Sequence, residues 1–221
     1  MNLFIYCAGG FGREIFDTAV RQDTGRGRWT GMYFIDDGAV SGTEMYGTTV
    51  FTLDGMLARF ATPDVEVAIA NGEPAIRQLL WEKLKRHGIR LATIVDPSAI
   101  VAPTATLGEG AVVTAFCIVA SQAVLRENVA LNVQAIVGHD IVLGEHTVVS
   151  SMVNVGGACT VGARSYLGMG VQIIQGVSVG TDAIVGMGSV VFSDIPDEVI
   201  ALGNPARAMR KNVDKRVFKK Y

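Results

Sequence analysis

From Val95 to Val191 every sixth residue is Val, Leu or Ile. The residue four places further on is small or β-branched, as at Ala99, Ala111, Cys117, Ala135, Val153 and Ala183. Glycine directly follows the aliphatic at 108, 138, 144, 156, 162, 168, 180 and 186. The next position is mixed: Pro97, Glu109, Ser121, Glu127, His139, Gln175. A six-residue period matches neither an α-helix nor an alternating strand. It predicts a hexapeptide parallel β-helix, three hexads to a triangular coil, whose inward aliphatics stack on counterparts 18 residues away. The small residue packs the corner, and glycine is expected to serve turns of unusual φ/ψ. The run makes between five and six coils without a long loop and ends at Asp194–Ile195–Pro196.

Residues 1–94 follow another rhythm. A continuous apolar run at 3–8 (LFIYCA) leads into Gly9–Gly10–Phe11–Gly12 and then into helical spacing over Arg13–Val20. Met32–Ile35 predicts a second strand, closed by Asp36–Asp37, and Val65–Ala70 a third, closed by Asn71–Gly72. A helix over about Pro74–His87 and a strand at Leu91–Val95 complete the segment. Strand, glycine turn, helix, strand is a parallel Rossmann-like unit. Its glycine turn brings backbone N–H groups to a phosphate at a helix N-terminus. An acid ending the second strand suits a ribose or a base edge, or simply a turn. Phe16 and Asp17 break the longer dinucleotide fingerprint, so the pocket reads as one for a mononucleotide.

Charge sharpens the boundaries. Residues 1–94 carry 10 Lys/Arg and 11 Asp/Glu, 95–196 carry 2 and 7, and 197–221 carry 7 and 3. These divisions predict a nucleotide-binding domain over 1–94, a β-helix over 95–196 and a basic tail over 197–221. The nearly uncharged middle calls for a partner surface. A net charge of −2 argues against a nucleic-acid-coating protein. No apolar stretch has the length of a membrane span, and no signal peptide is evident. Cys7, Cys117 and Cys159 form no disulfide framework, which favours the cytoplasm.

Three histidines are present. His87 ends a helix and reads as a surface residue. His139 lies in Val137–Gly138–His139–Asp140, stacked between Ser121 and Gly157. Gly157 opens a groove beside the ring, and Asp140 is placed to orient it, the arrangement of a general base with its partner. His146 lacks such a column and is expected at the surface. A zinc site needs three converging histidines, and two in the repeats, seven apart, do not supply them. No metal is expected.

YCAGGFGRE, FIDD, VAIAN, NVQAIVGHD and GNPAR together resemble the bacterial nucleotide-amino-sugar acetyltransferases, including the bacillosamine-pathway and perosamine N-acetyltransferases and the sialic acid O-acetyltransferase relatives. The resemblance spans essentially the whole chain. It implies a left-handed β-helix, a homotrimer and acetyl-CoA bound between neighbouring β-helices. It implies His139 as catalytic base, with Asp140 and Asn132 beside it. The nucleotide falls on Gly9, Gly10, Gly12, Asp36, Asp37 and Asn71. The pantetheine arm falls on Gly157, Met169 and Met187, and the adenosine end on Pro205 and Arg207. Phe11 stands where the glycine turn often carries His, and Val148 where some members place a cofactor-contacting His. The implied reaction is direct acetyl transfer to a UDP- or GDP-linked 4-amino-4,6-dideoxyhexose. An O-acetyltransferase, or a nucleotide-sugar-binding scaffold without activity, remains as an alternative.

Overall fold

The structure, a computed structural model, describes residues 1–40 and 42–218. The N-terminal part is built on β1 (Asn2–Tyr6), β2 (Gly31–Ile35), β3 (Glu44–Met45), β4 (Thr48–Phe51), β5 (Val65–Ile69) and β6 (Arg90–Leu91). Its helices are α1 (Gly10–Asp23), α2 (Leu53–Leu57) and α3 (Pro74–Arg86). The sheet order is β3-β4-β2-β1-β5-β6. All pairings are parallel except β3 with β4. β1 and β5 are buried on both faces, as their unbroken apolar runs require. The hairpin at 44–51 and the short α2 go beyond the sequence reading. The expected strand at 91–95 divides instead: Arg90–Leu91 pairs in this sheet, while Ile94–Val95 opens the β-helix.

From Ile94 to Val191 two-residue strands recur every six residues and pair in parallel with the strand 18 residues on. They form three faces. The first runs from Ile94–Val95 to Ile184–Val185, the second from Ile100–Val101 to Val190–Val191, and the third from Thr106–Leu107 to Ser178–Val179. The inward aliphatics make one buried column, with Val113, Leu131, Val149, Leu167 and Val185 fully enclosed.

The hexad glycines do not work as the sequence suggested. From Gly110 to Gly188 every sixth residue is left-handed, including Asn128 at φ 56°, Asp140 at 56° and His146 at 62°. That position lies three after the aliphatic, not one. The glycines directly after the aliphatic have no positive φ; they admit the next coil. A Cβ on Gly138 would stand 2.6 Å from Gly157 N, and one on Gly144 2.5 Å from Ala163 N.

The outward side chains of the first face, Ile94, Val112, Ala130, Val148, Tyr166 and Ile184, are buried too, and share a core with Ile15 and Ala19 of α1. Arg21 pairs with the buried Asp96 at 2.7 Å, and Lys85 with Glu109 at 2.9 Å, so α1 and α3 grip the first coils. The basic stretch after Pro196 is ordered structure through 218. Val199–Gly203 and Ala206–Lys211 form an antiparallel hairpin that extends the first face, and the chain then returns to the N-terminal sheet. Among the described residues no helix is long and apolar enough to cross a membrane.

Candidate active site

The connection from β1 to α1 forms one half of the site. Cys7 turns the chain in the left-handed region at φ 83°, and Gly9 precedes α1 with no side-chain cap. Gly12 packs against the strand end: a Cβ there would overlap the Cys7 carbonyl oxygen. Gly9 and Gly10 have nothing within 4 Å of a built Cβ, which leaves an open backbone rim at the helix N-terminus. β1 connects to β2 on one side while β5 pairs on its other side and leads to β6. The β1–β5 boundary is therefore a topological switch point, where open parallel sheets take ligands. Asn71 ends β5 there. Its Nδ2 donates to Cys7 Sγ at 3.5 Å and its Oδ1 accepts from Glu73 N at 2.9 Å.

The two acids after β2 separate. Asp36 accepts from Ala8 N and Gly38 N, each at 3.0 Å, and braces the glycine turn. Asp37 accepts from Lys83 Nζ at 2.7 Å, Leu53 N at 2.8 Å and the Tyr6 hydroxyl at 2.5 Å. Burial pushes its pKa up, but these three donors outweigh that and hold it below the usual carboxylate range. Burial, with the Asp37 carboxylate, pushes the Tyr6 hydroxyl well above its ordinary value. The crevice is thus edged by Gly9, Gly10, Asp36 and Asn71, while Gly12 and Asp37 are engaged behind it.

The other half lies on the corner between the second and third faces. His139 follows the Ile136–Val137 strand, exposed, with its carbonyl accepting from Ala158 N at 2.8 Å. Its Nδ1 and Asp140 Oδ2 are 2.7 Å apart. With Nδ1–H donating to the carboxylate, Nε2 keeps a free lone pair. Nε2 faces Gly157, where a Cβ would stand 2.5 Å from it. Gly157 N donates to no acceptor among the described residues, and Gly138 leaves it uncovered. A base nitrogen and an unpaired backbone donor therefore share one small opening. That pair is equipped to take a proton and to stabilise a developing oxyanion.

The remaining expected residues lie elsewhere on the β-helix. Asn132 sits at the corner between the first and second faces, at the far end of the strand that leads to His139. Its Oδ1 is buried and accepts no hydrogen bond from the described residues. Met169 and Met187 occupy the same corner two and three coil levels along and line a cavity of about 450 Å³ with Tyr166, Leu202, Arg216 and Phe218. Pro205 and Arg207 are exposed at the hairpin tip. The structure therefore groups Gly157 with His139 and Asp140, and groups Asn132, Met169 and Met187 on another corner.

This architecture has known counterparts. Residues 2–84 match the PglD N-terminal domain model. The acetyltransferase domain of PglB from Neisseria gonorrhoeae is 29% identical, covering 94% of this chain and 99% of that one, at a TM-score of 0.87. WeeI from Acinetobacter baumannii is 28% identical over 95% of this chain and 100% of its own, at 0.88. PerB from Caulobacter crescentus, solved with CoA and GDP-perosamine, is 31% identical over 95% and 97%, at 0.84. The chain belongs to the nucleotide-amino-sugar acetyltransferases. No curated protein sequence matches it.

This acetyltransferase carries a polar element that the sequence reading missed. Arg77 of α3 is wholly buried and, among the described residues, forms no ion pair with a carboxylate. It donates to the carbonyls of Ile69 (2.7 Å), Asn71 (3.2 Å) and Asn128 (2.9 Å), and to Asn128 Oδ1. Burial lowers its pKa to about 9, which leaves it charged at neutral pH. Asn128 Nδ2 donates to the Arg77 carbonyl and to His146 Nδ1, each at 3.0 Å. His146 is therefore buried, contrary to expectation, with its pKa lowered to about 4 by burial and then by Arg77. The signal was present in the 18-residue column Asn128, His146, Arg164, Asp182, which is polar at four successive levels. Arg77 ties the end of β5, and hence the crevice at the β1–β5 boundary, to that column.

Proposed function

We propose that the protein is an acetyl-CoA-dependent N-acetyltransferase acting on a nucleotide-linked amino sugar, working as a homotrimer. The acceptor class is a UDP- or GDP-linked 4-amino-4,6-dideoxyhexose; the relative PerB was solved with GDP-perosamine and CoA. The observation that carries this reading is the His139–Asp140 pair at 2.7 Å with Nε2 opening onto Gly157. The amine nitrogen attacks the thioester carbonyl. His139 Nε2 takes the proton the nitrogen loses, and Asp140 holds the tautomer that leaves Nε2 free. The Gly157 N–H steadies the oxygen as it gains charge. The C–S bond then breaks, and the proton on His139 passes to the leaving thiolate. No enzyme nucleophile is involved.

The positions of the residues support the homotrimer reading. Gly157 with His139 and Met169 with Met187 occupy two different corners of one prism. A groove lined by both corners closes only when a corner of one protomer meets the other corner of its neighbour. The early coils of the second face between them are apolar and open, ahead of the polar pair Asn154–Gln172: Ile100 is 65% exposed and Ile136 39%, with Phe116 and Met152 along its edge at 62% and 60%. Asn132 Oδ1, buried and unpaired, suits a donor supplied by substrate or neighbour.

The test is release of free CoA thiol against UDP- and GDP-linked 4-amino and 4-hydroxy sugars. Amino sugars should turn over and hydroxy sugars should not. His139→Ala should lower kcat by about 10²–10⁴ while acetyl-CoA binding persists. Near-full kcat in that variant, or preference for the hydroxyl acceptor, would overturn the assignment.

A further inference from the structure

We propose that the segment Arg216–Phe218 is a wall of the acceptor site, with the Phe218 ring as the platform on which the hexose of the nucleotide sugar stacks. The inference rests on the acetyltransferase reading above and adds a substrate contact to it. The segment is held from both sides. Upstream, Lys215 pairs with the buried Asp182 at 3.0 Å, and Asn212 Nδ2 donates to the Asp182 carbonyl at 2.8 Å. Downstream, Val217 N and Phe218 N donate to the two oxygens of Glu73, at 2.8 and 2.6 Å. Glu73 belongs to the Asn71–Gly72–Glu73 turn that edges the nucleotide crevice. A Cβ on Gly72 would stand 3.2 Å from the Phe218 ring, so glycine there lets the ring lie against the turn.

The ring is supported but uncovered. It meets Tyr166 edge-on, with centroids 5.7 Å apart at 82°, yet remains 60% exposed. Phe218 and Tyr166 line the 450 Å³ cavity together with Met169 and Met187. The Phe218 ring that lines this cavity also lies against Gly72, and the cavity continues along the β-helix. Of the three parts of a nucleotide sugar, only the hexose must pass from the N-terminal sheet to the β-helix, because it carries the amine. An aromatic face suits the C–H face of a pyranose.

The experiment is calorimetric titration of wild type, Phe218→Ala, Phe218→Trp and Glu73→Ala with UDP, GDP and their 4-amino-4,6-dideoxyhexose conjugates. Phe218→Ala should weaken the conjugate about tenfold and leave the free nucleotide unchanged. Phe218→Trp should restore the conjugate's affinity, and Glu73→Ala, which frees the strap, should resemble Phe218→Ala. Equal weakening of nucleotide and conjugate would place the ring under the base and overturn the proposal. So would unchanged affinity, or a change in particle mass that makes Phe218 a contact between protomers. If wild type binds no conjugate at all, the acetyltransferase reading falls and takes the platform with it. If wild type binds a conjugate and Phe218→Ala binds it equally well, the platform alone falls.

Discussion

Gly157 is where a single methyl group should separate catalysis from folding. Its φ is not left-handed, so alanine strains no backbone there. The added Cβ would meet three atoms of the exposed His139 ring at 2.5–2.9 Å and push it away from Asp140. Gly157→Ala should lower kcat by about two orders of magnitude with little change in Tm, since misplacing a reacting group by about 1 Å has that effect. Unaltered kcat would show that Nε2 does not work from that opening. His146 makes the opposite kind of prediction. It is held neutral, with a folded pKa of about 4 against 6.5 for a free imidazole. Its contribution is complete above about pH 6.5 and is lost as pH falls towards 4, because the unfolded chain takes up the proton first. Up to about 3 kcal/mol should disappear over that window. His146→Asn should flatten the Tm–pH curve there; an unchanged slope would mean that the imidazole is not kept neutral. His139 was legible because its acid is the next residue and its glycine one coil away. His146 was not, because Arg77 comes from α3, and on that helix an arginine looks like any solvated cation.

The hexads were legible as elements because their order repeats every 18 residues and each coil meets only its neighbours. The role of their glycines was not, since sequence does not distinguish a residue needing positive φ from one needing no side chain. A pair of substitutions separates the two. Gly144→Ala pushes a methyl to 2.5 Å from the Ala163 nitrogen, which is backbone and cannot swing aside. Gly188→Ala places an ordinary side chain at φ 71° in open space. The second should destabilise by about 1–2 kcal/mol and the first by about 3 kcal/mol, read from urea midpoints. The reverse ranking would refute close coil stacking as the reason for these glycines. The hairpin at 44–51 escaped the sequence reading because one of its strands has only two residues, too short for alternation to register. The strand at 91–95 was read as one because apolar residues continue through Ala92, although pairing passes there from one sheet to another.

At the scale of the whole molecule, the open second face should define the assembly. Ile136→Asp places a charge on that face without touching the buried column. The wild type should have three times the mass of one chain by light scattering, and the variant should fall towards one chain and lose activity. A monomeric wild type with full activity would refute the shared site. The change of rhythm and charge near residue 94 was legible in the sequence. The return of the chain after the hairpin was not, because nothing local marks Val217 and Phe218 as partners of Glu73. Those hydrogen bonds span 144 and 145 residues. Translation gives this distance a duration. At about 5–20 residues per second, the N-terminal sheet leaves the ribosome on the order of ten seconds or more before the segment that fastens its ligand-edging turn. Each nascent chain therefore passes through a period in which the sheet can form while that turn lacks its final tether. The tether of that turn is then acquired last, once Val217 and Phe218 have emerged.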